Sequence, residues 1–155
     1  MFRLILASKL TFLLITFIVA LSVLRCTTAQ LVHDPDAEKW IGKISGMAKG
    51  NFELFIKQTQ GQGNLYYVSG PFVMNLGTTA GGYGGATVTG SIKGKIKNEI
   101  MKTNIFGNAQ VEDSFYQISG EMIGTISKTL AFGTWTIRHI EGLHSGKWTA
   151  EKLIE

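Results

Sequence analysis

From Trp40 to the end of the chain, apolar and polar residues alternate in one short segment after another. Successive side chains of an extended strand point to opposite faces, so this period of two predicts strands with one buried face. No long stretch shows the apolar period of an amphipathic helix. Because the segments are joined by short connections, we expect an antiparallel meander of seven to nine strands. The predicted strands cover about 40–48, 51–58, 64–69, 72–76, 86–97, 99–106, 115–126, 131–139 and 144–152.

A glycine-containing template occurs three times, at residues 44–52, 88–96 and 118–126. Each copy has an apolar residue, Ser or Thr, Gly, any residue, an apolar residue, any residue, Gly, any residue and an apolar residue. In a strand the three apolar residues and both glycines share one face. Glycine on a core-facing position removes bulk where the backbone bends or another element approaches closely. We interpret the copies as equivalent strands of one curled sheet. The predicted fold is therefore all-β, a small antiparallel meander that closes into a β-barrel.

Two tryptophan-containing segments near the end, GTWTI at 133–137 and GKWTA at 146–150, flank a stretch of turn composition and predict a hairpin. Together with the glycine-kinked meander, they resemble in texture the avidin-like and other calycin barrels, over about the last 40 residues. No family motif runs in register, so no site residue is carried over from this resemblance. A barrel of about eight strands either packs solid or holds one small ligand.

The N-terminus has the pattern of an export signal. Two basic residues, Arg3 and Lys9, precede an uncharged apolar run of 15 residues at 10–24, and small residues lead to Ala29. This pattern predicts a signal peptide over 1–29 and a protein that is secreted, periplasmic or at the cell surface. A retained membrane anchor through residues 4–24 is the alternative, but a span needs about 20 apolar residues. Lipidation of Cys26 is disfavoured because Arg25, before it, is bulky where a small residue is expected.

Cleavage of this leader would change the chemistry of the chain. It removes the only cysteine and three basic residues, which leaves 12 Lys and Arg against 11 Asp and Glu. The mature protein therefore lacks the basicity of a nucleic-acid binder. It also lacks disulfides, a thiolate nucleophile and cysteine metal ligands. What remains is a polar arm at 30–39 and one domain at 40–155, large enough to fold around its own core.

No catalytic or cofactor motif occurs in the chain, so we expect neither an enzyme nor a cofactor. His139 and His144 flank Glu141 in the predicted last hairpin, but sequence places no third firm ligand, and we expect no metal site. Lys93, Lys95 and Lys97 share one strand face. They suit either docking to an anionic surface or, more simply, the solvated side of a half-buried strand.

The aromatic residues carry the functional hypothesis. We expect aromatic residues, among them Trp40, Trp135, Trp148 and Tyr66, either to line the barrel interior or to fill it. As ligand-binding residues we predict the three tryptophans and Tyr83, the only large side chain of the glycine-rich loop at 77–85. The leading interpretation is an exported, non-enzymatic β-barrel that binds a small, largely apolar ligand. The alternative is a structural or surface-assembly protein that acts as an oligomer through its outer faces. An outer-membrane barrel is disfavoured, because lysines alternate with the apolar face where a lipid-facing band should be apolar.

Overall fold

The computed structural model describes residues 34–77, 85–139 and 142–154, without the side chain of His139. All of them belong to the second of two compact units into which the chain divides, His33–Glu155. The predicted signal peptide at 1–29 and the first part of the arm lie outside the described residues. The rest of the arm forms a turn at 34–37, and the first strand begins at Glu38.

Eight strands form a closed barrel in which each strand pairs antiparallel with the next and the last pairs with the first. This architecture confirms the prediction of an all-β antiparallel meander that closes into a barrel. Within the described residues there is no helix, and so none long and apolar enough to cross a membrane. The strands are β1 (Glu38–Gly46), β2 (Gly50–Gln60), β3 (Leu65–Leu76), β4 (Ala86–Lys97), β5 (Ile100–Val111), β6 (Ser114–Ile126), β7 (Leu130–His139) and β8 (Gly142–Lys152).

The predicted break between strands 64–69 and 72–76 is wrong, because both segments belong to β3. Pro71 lies in the predicted gap, and it interrupts only one of the two ladders. The register with β4 runs through Gly70 and Pro71, whereas the register with β2 skips from Phe72 to Ser69. A proline has no N–H to donate. We infer that the nitrogen of Pro71 faces β2. On the same side, the carbonyl of Phe55 leaves no room for a side chain at Gly70.

Two copies of the glycine template behave as predicted, and the first does not. In β4 and β6 the apolar positions of the template are buried, as in Val88, Ile92 and Ile96. The copy at 44–52 is instead divided between β1 and β2 by the turn at 47–49. Gly46 explains the difference, because its φ of 112° lies in a region that side-chain-bearing residues rarely adopt. The chain therefore leaves β1 at this glycine.

The inward-facing glycines allow neighbouring strands to approach closely. Gly124 on β6 stands directly opposite Gly133 on β7. A Cβ built on Gly124 would overlap the carbonyl oxygen of Phe132 and would lie 2.8 Å from the Cα of Gly133. Gly90 on β4 and Gly107 on β5 form a second opposed pair with the same crowding. These positions have no room for a side chain, so glycine is required there by sterics.

Large side chains fill the space next to the glycines. Trp135 stands opposite Gly146, and Trp148 stands opposite Gly133. The indole of Trp135 occupies the space that a Cβ on Gly146 would need. The core draws buried apolar side chains from all eight strands. They are Trp40, Ile44, Ala48, Phe52, Leu54, Ile56, Val68, Phe72, Met74, Val88, Ile92, Ile96, Met101, Ile105, Ile118, Met122, Ile126, Ala131, Trp135, Ile137, Trp148 and Ala150.

A Gly124→Ala substitution tests this steric requirement. The new methyl group would force β6 and β7 apart, and we expect a loss of at least about 2 kcal/mol in the free energy of unfolding. Gly77→Ala is the matched control, because a Cβ there would lie 3.7 Å from its nearest neighbour, the Lys49 carbonyl. It should change stability by less than about 0.5 kcal/mol. Urea denaturation of the two variants measures both values, and equal, small effects would contradict the steric account.

Candidate functional site

A cleft of about 600 Å³ lies at the barrel end where β1 begins. We call it the mouth cleft. Strand residues on several sides form it, and turn residues close it, so its shape depends on the barrel being closed. Its lining residues are Glu38, Gln58, Asn64, Tyr66, Ile96, Asn98, Glu99, Ile126, Ser127, Lys128 and Lys152.

Charged and polar side chains hydrogen-bond to one another in this cleft. The ammonium group of Lys152 lies 2.6 Å from one carboxylate oxygen of Glu38. The side-chain amide of Gln58 donates to the other oxygen at 3.2 Å. Glu38 lies two residues before the buried Trp40, and Lys152 is the register partner of Trp40. Glu38 and Lys152 therefore continue the inward-facing positions of their strands. The barrel core therefore ends in a hydrogen-bonded ion pair rather than in apolar side chains.

The floor of the mouth cleft is apolar. Ile96 and Ile126 are both 6% exposed, and Tyr66 adds an aromatic ring that is partly open to solvent. One layer deeper, Trp40 is 1% exposed, and its indole nitrogen has no hydrogen-bond partner among the described residues. An unpaired buried donor costs about 1–3 kcal/mol. The core thus contains an unsatisfied N–H on the residue two positions after Glu38 of the mouth cleft.

A strained turn borders the same cleft. Asn98 and Glu99 join β4 to β5, and they have φ values of 50° and 65°. A two-residue hairpin turn with both central φ values positive is of type I′, which favours Asn followed by Gly. Glu99 instead carries a side chain in the left-handed region, at a cost of about 1–2 kcal/mol. The N–H of Ile126 donates to the Glu99 carbonyl at 2.8 Å and holds the turn against the end of β6.

The N-terminal turn is held beside this mouth by a second ion pair. The ammonium group of Lys57, on β2, lies 2.6 Å from a carboxylate oxygen of Asp34. The hydrogen bond from Asp34 raises the pKa of Lys57, and the negative charges of Asp34 and Asp36 act in the same direction. The turn that precedes Glu38 is therefore fastened to the strand that carries Gln58.

The residues predicted to bind a ligand lie elsewhere. Trp40, Trp135 and Trp148 are at most 3% exposed and belong to the core. The indole N–H of Trp135 donates to the Ser45 carbonyl at 3.2 Å, and that of Trp148 donates to the Thr134 carbonyl at 3.0 Å. Tyr83 lies outside the described residues. Ligand contact by these four residues stays a prediction.

Sequence reasoning missed Glu38 and Lys152, and it included Tyr66 among the interior aromatic residues without singling it out. The signal for the ion pair was present, because Glu38 and Lys152 occupy the same alternating phase as Trp40 and Trp148. Charged residues in a buried phase at a strand end indicate an open mouth or a buried pair. Tyr66 could not be distinguished from its neighbour Tyr67 until the register of β3 was known.

The other candidate groups are placed as follows. Within the described residues, no three His, Cys, Asp or Glu side chains are positioned to hold a metal ion. Glu141 and the side chain of His139 lie outside those residues. Lys93, Lys95 and Lys97 are exposed on β4. Lys95 stands opposite Lys102 of β5, and its ammonium group lies 5.7 Å from the centre of the Tyr67 ring.

The fold and the cleft define a small meander barrel with a tryptophan-rich core and a polar mouth. Comparison of the chain with protein families, with curated proteins and with solved structures gives no match. The likeness to avidin-like and other calycin barrels is one of sequence texture alone.

The ion pair in the cleft can be measured with a double-mutant cycle. Because Glu38 and Lys152 are each about 30% exposed at the side chain, we expect Glu38→Gln and Lys152→Met to show a coupling of about 1 kcal/mol in the free energy of unfolding. The control pair is Lys39 with Glu53, whose carboxylate is 50% exposed and whose separation is 2.8 Å. Its coupling should stay below about 0.5 kcal/mol. A coupling at the mouth no larger than that of the control would contradict the structural importance of the pair.

Proposed function

We propose that the protein is an exported, non-enzymatic β-barrel that binds a small ligand with a largely apolar body and one polar end in the mouth cleft. The observation that carries the proposal is the hydrogen-bonded Glu38–Lys152 pair at the edge of a half-open cleft with an apolar floor. The predicted signal peptide at 1–29 supports export.

The size and lining of the cleft support this ligand class. Its volume of about 600 Å³ lies within the range of about 300–1,000 Å³ typical of small-molecule sites. Such sites combine apolar walls with a few polar groups that orient the ligand. Here Ile96, Ile126 and Tyr66 supply the apolar surface.

The polar side chains retain hydrogen-bonding capacity for a ligand. An ammonium group has three donors, and Lys152 uses one of them on Glu38. The carboxylate of Glu38 accepts from Lys152 and from Gln58, and a carboxylate offers about four acceptor positions. A ligand hydroxyl or carbonyl can therefore join the pair without breaking it.

A dye titration tests the proposal, with anilinonaphthalene sulfonate as the probe because it joins an apolar body to a polar group. Tyr66→Ala removes the aromatic wall and should weaken dye binding about tenfold, since burial against an aromatic side chain is worth about 1.5–3 kcal/mol. Tyr67→Ala is the matched control, because Tyr67 is the next residue and lies on the outer face. It should leave the dissociation constant within about twofold of the wild type.

Circular dichroism must first show that both variants keep the barrel fold. Dye fluorescence that is absent in the wild type, or that falls equally in the two variants, would overturn binding at the mouth cleft. Native mass spectrometry of protein recovered from its own source provides the complementary result, a retained small molecule.

A second candidate, assembly through the outer face, is favoured by an exposed apolar patch on β5, β6 and β7. In one row across these strands, Ile100 stands opposite Thr125, and Thr125 stands opposite Phe132. Ile123 and Leu130 flank this row, and the four apolar side chains are 39–57% exposed. Contiguous apolar surface of this kind often marks an interface.

Light scattering coupled to size-exclusion chromatography tests assembly. If the patch is an interface, the wild type should elute as an oligomer, and Phe132→Lys should shift it to the monomer because a buried ammonium group lacks compensation. Phe115→Lys is the control, since Phe115 is 70% exposed at the opposite end of β6. A wild type that is monomeric at all concentrations would contradict this second candidate.

A further inference from the structure

A groove of about 500 Å³ on β1 and β8 has a lining of unusual composition. Three lysines line it, Lys43 from β1, Lys49 from the β1–β2 turn and Lys147 from β8. Hydroxyl and amide groups accompany them on Ser45, Asn51 and Thr149, and the lining includes no carboxylate. We call this the basic groove.

The strand register places its charges around one point. Lys43 stands opposite Thr149, and Ser45 stands opposite Lys147, so the two lysines are diagonal neighbours on the outer face. Diagonal neighbours across an antiparallel pair lie about 7–8 Å apart, within reach of one another for long side chains. The Lys49 backbone is fixed as well, because its carbonyl accepts the N–H of Gly77 at 2.9 Å.

These lysines have no ion-pair partner among the described residues. The salt bridges of that part of the chain use Lys39, Lys57 and Lys152 instead. Two carboxylates of the described residues lie on neighbouring strand positions outside the lining. Glu53, on β2, is engaged by Lys39 at 2.8 Å, and Glu151, on β8, stands opposite Ile41. Like charges that share one face of a sheet repel one another. A concave site with three such charges and no counter-charge in its lining is therefore suited to an anion.

We propose that the basic groove binds a phosphate monoester. A lysine ammonium group acts as a point charge for phosphate, and a phosphate monoester, which carries close to two negative charges at neutral pH, balances more of the three charges than a singly charged carboxylate would. The Thr149 hydroxyl and the Asn51 amide supply additional donors for its oxygens. The Ser45 hydroxyl donates to the Lys147 carbonyl over a long distance of 3.5 Å.

This site is separate from the mouth cleft, because the two share no lining residue. It also has a natural control on the far side of the barrel. Lys95 and Lys102 form an opposed lysine pair on β4 and β5, four strands from β8 and β1 in the closed order. They carry the same charge and line neither cleft.

The experiment compares the wild type with the double variants K43Q/K147Q and K95Q/K102Q, which remove equal charge from the groove and from the opposite face. Amide chemical shifts are followed by NMR during titration with inorganic phosphate and with sulfate, and chloride at equal ionic strength is the salt control. In the wild type we expect shifts concentrated at residues 43–51 and 147–149. In K43Q/K147Q the affinity should fall at least about tenfold, because two charge-assisted contacts are lost, whereas K95Q/K102Q should bind like the wild type.

Sedimentation with vesicles of phosphatidic acid, against vesicles of phosphatidylcholine, separates the two sources of the ester. Co-sedimentation that K43Q/K147Q abolishes and K95Q/K102Q retains assigns the site to a lipid headgroup. Phosphate binding without co-sedimentation assigns it to a free ester. No phosphate-specific shift in the wild type, or equal weakening in both double variants, would overturn the proposal. Either result would mean that the groove attracts anions only through its general positive charge.

Discussion

Neighbouring strands of this barrel approach one another most closely where inward-facing glycines stand, and the rest of the structure depends on that approach. At the opposed pairs Gly124 with Gly133 and Gly90 with Gly107, a single methyl group would overlap the backbone of the next strand. Strongly curled sheets need such positions. The curvature brings β8 back to β1, which pair over seven residues and leave no sheet edge.

The same curvature determines where a ligand can bind. A narrow barrel is filled by a few large side chains, and Trp40, Trp135 and Trp148 occupy the described part of the core. Binding is then expected where the inward-facing positions reach the end of their strands. At the mouth where β1 begins, these positions are taken by Glu38 and Lys152, and a strained turn at Glu99 borders the same space. Strain that persists beside a cleft is commonly associated with function.

The sequence was sufficient for the barrel but not for the site. Alternation and the glycine template predicted an all-β meander, because both report which face of a strand is buried. The break at residues 70 and 71 was predicted wrongly, and sequence does not show that the proline there interrupts only one of the two ladders. The interpretation of the first template copy as one strand was also wrong. The predicted strands 40–48 and 51–58 already separate its two halves, and the structure places the end of β1 at Gly46. Glu38 and Lys152 were missed because their ion pair joins the first and last strands of the domain, 114 residues apart, and sequence alone does not show which strands become neighbours. Aromatic composition alone does not show whether an aromatic residue lines a binding site or packs in the core.

Closure by β1 and β8 is the central claim, and native-state hydrogen exchange measured by NMR tests it most directly. In a closed barrel both strands have partners on each side, so all amides of residues 40–45 and 147–152 should be protected. Their opening free energies should lie within about 1 kcal/mol of those in β4 and β5. An open sheet would leave β1 and β8 as edges. Rapid exchange of every second amide in both strands would therefore contradict the closed barrel, and with it the mouth cleft and the basic groove.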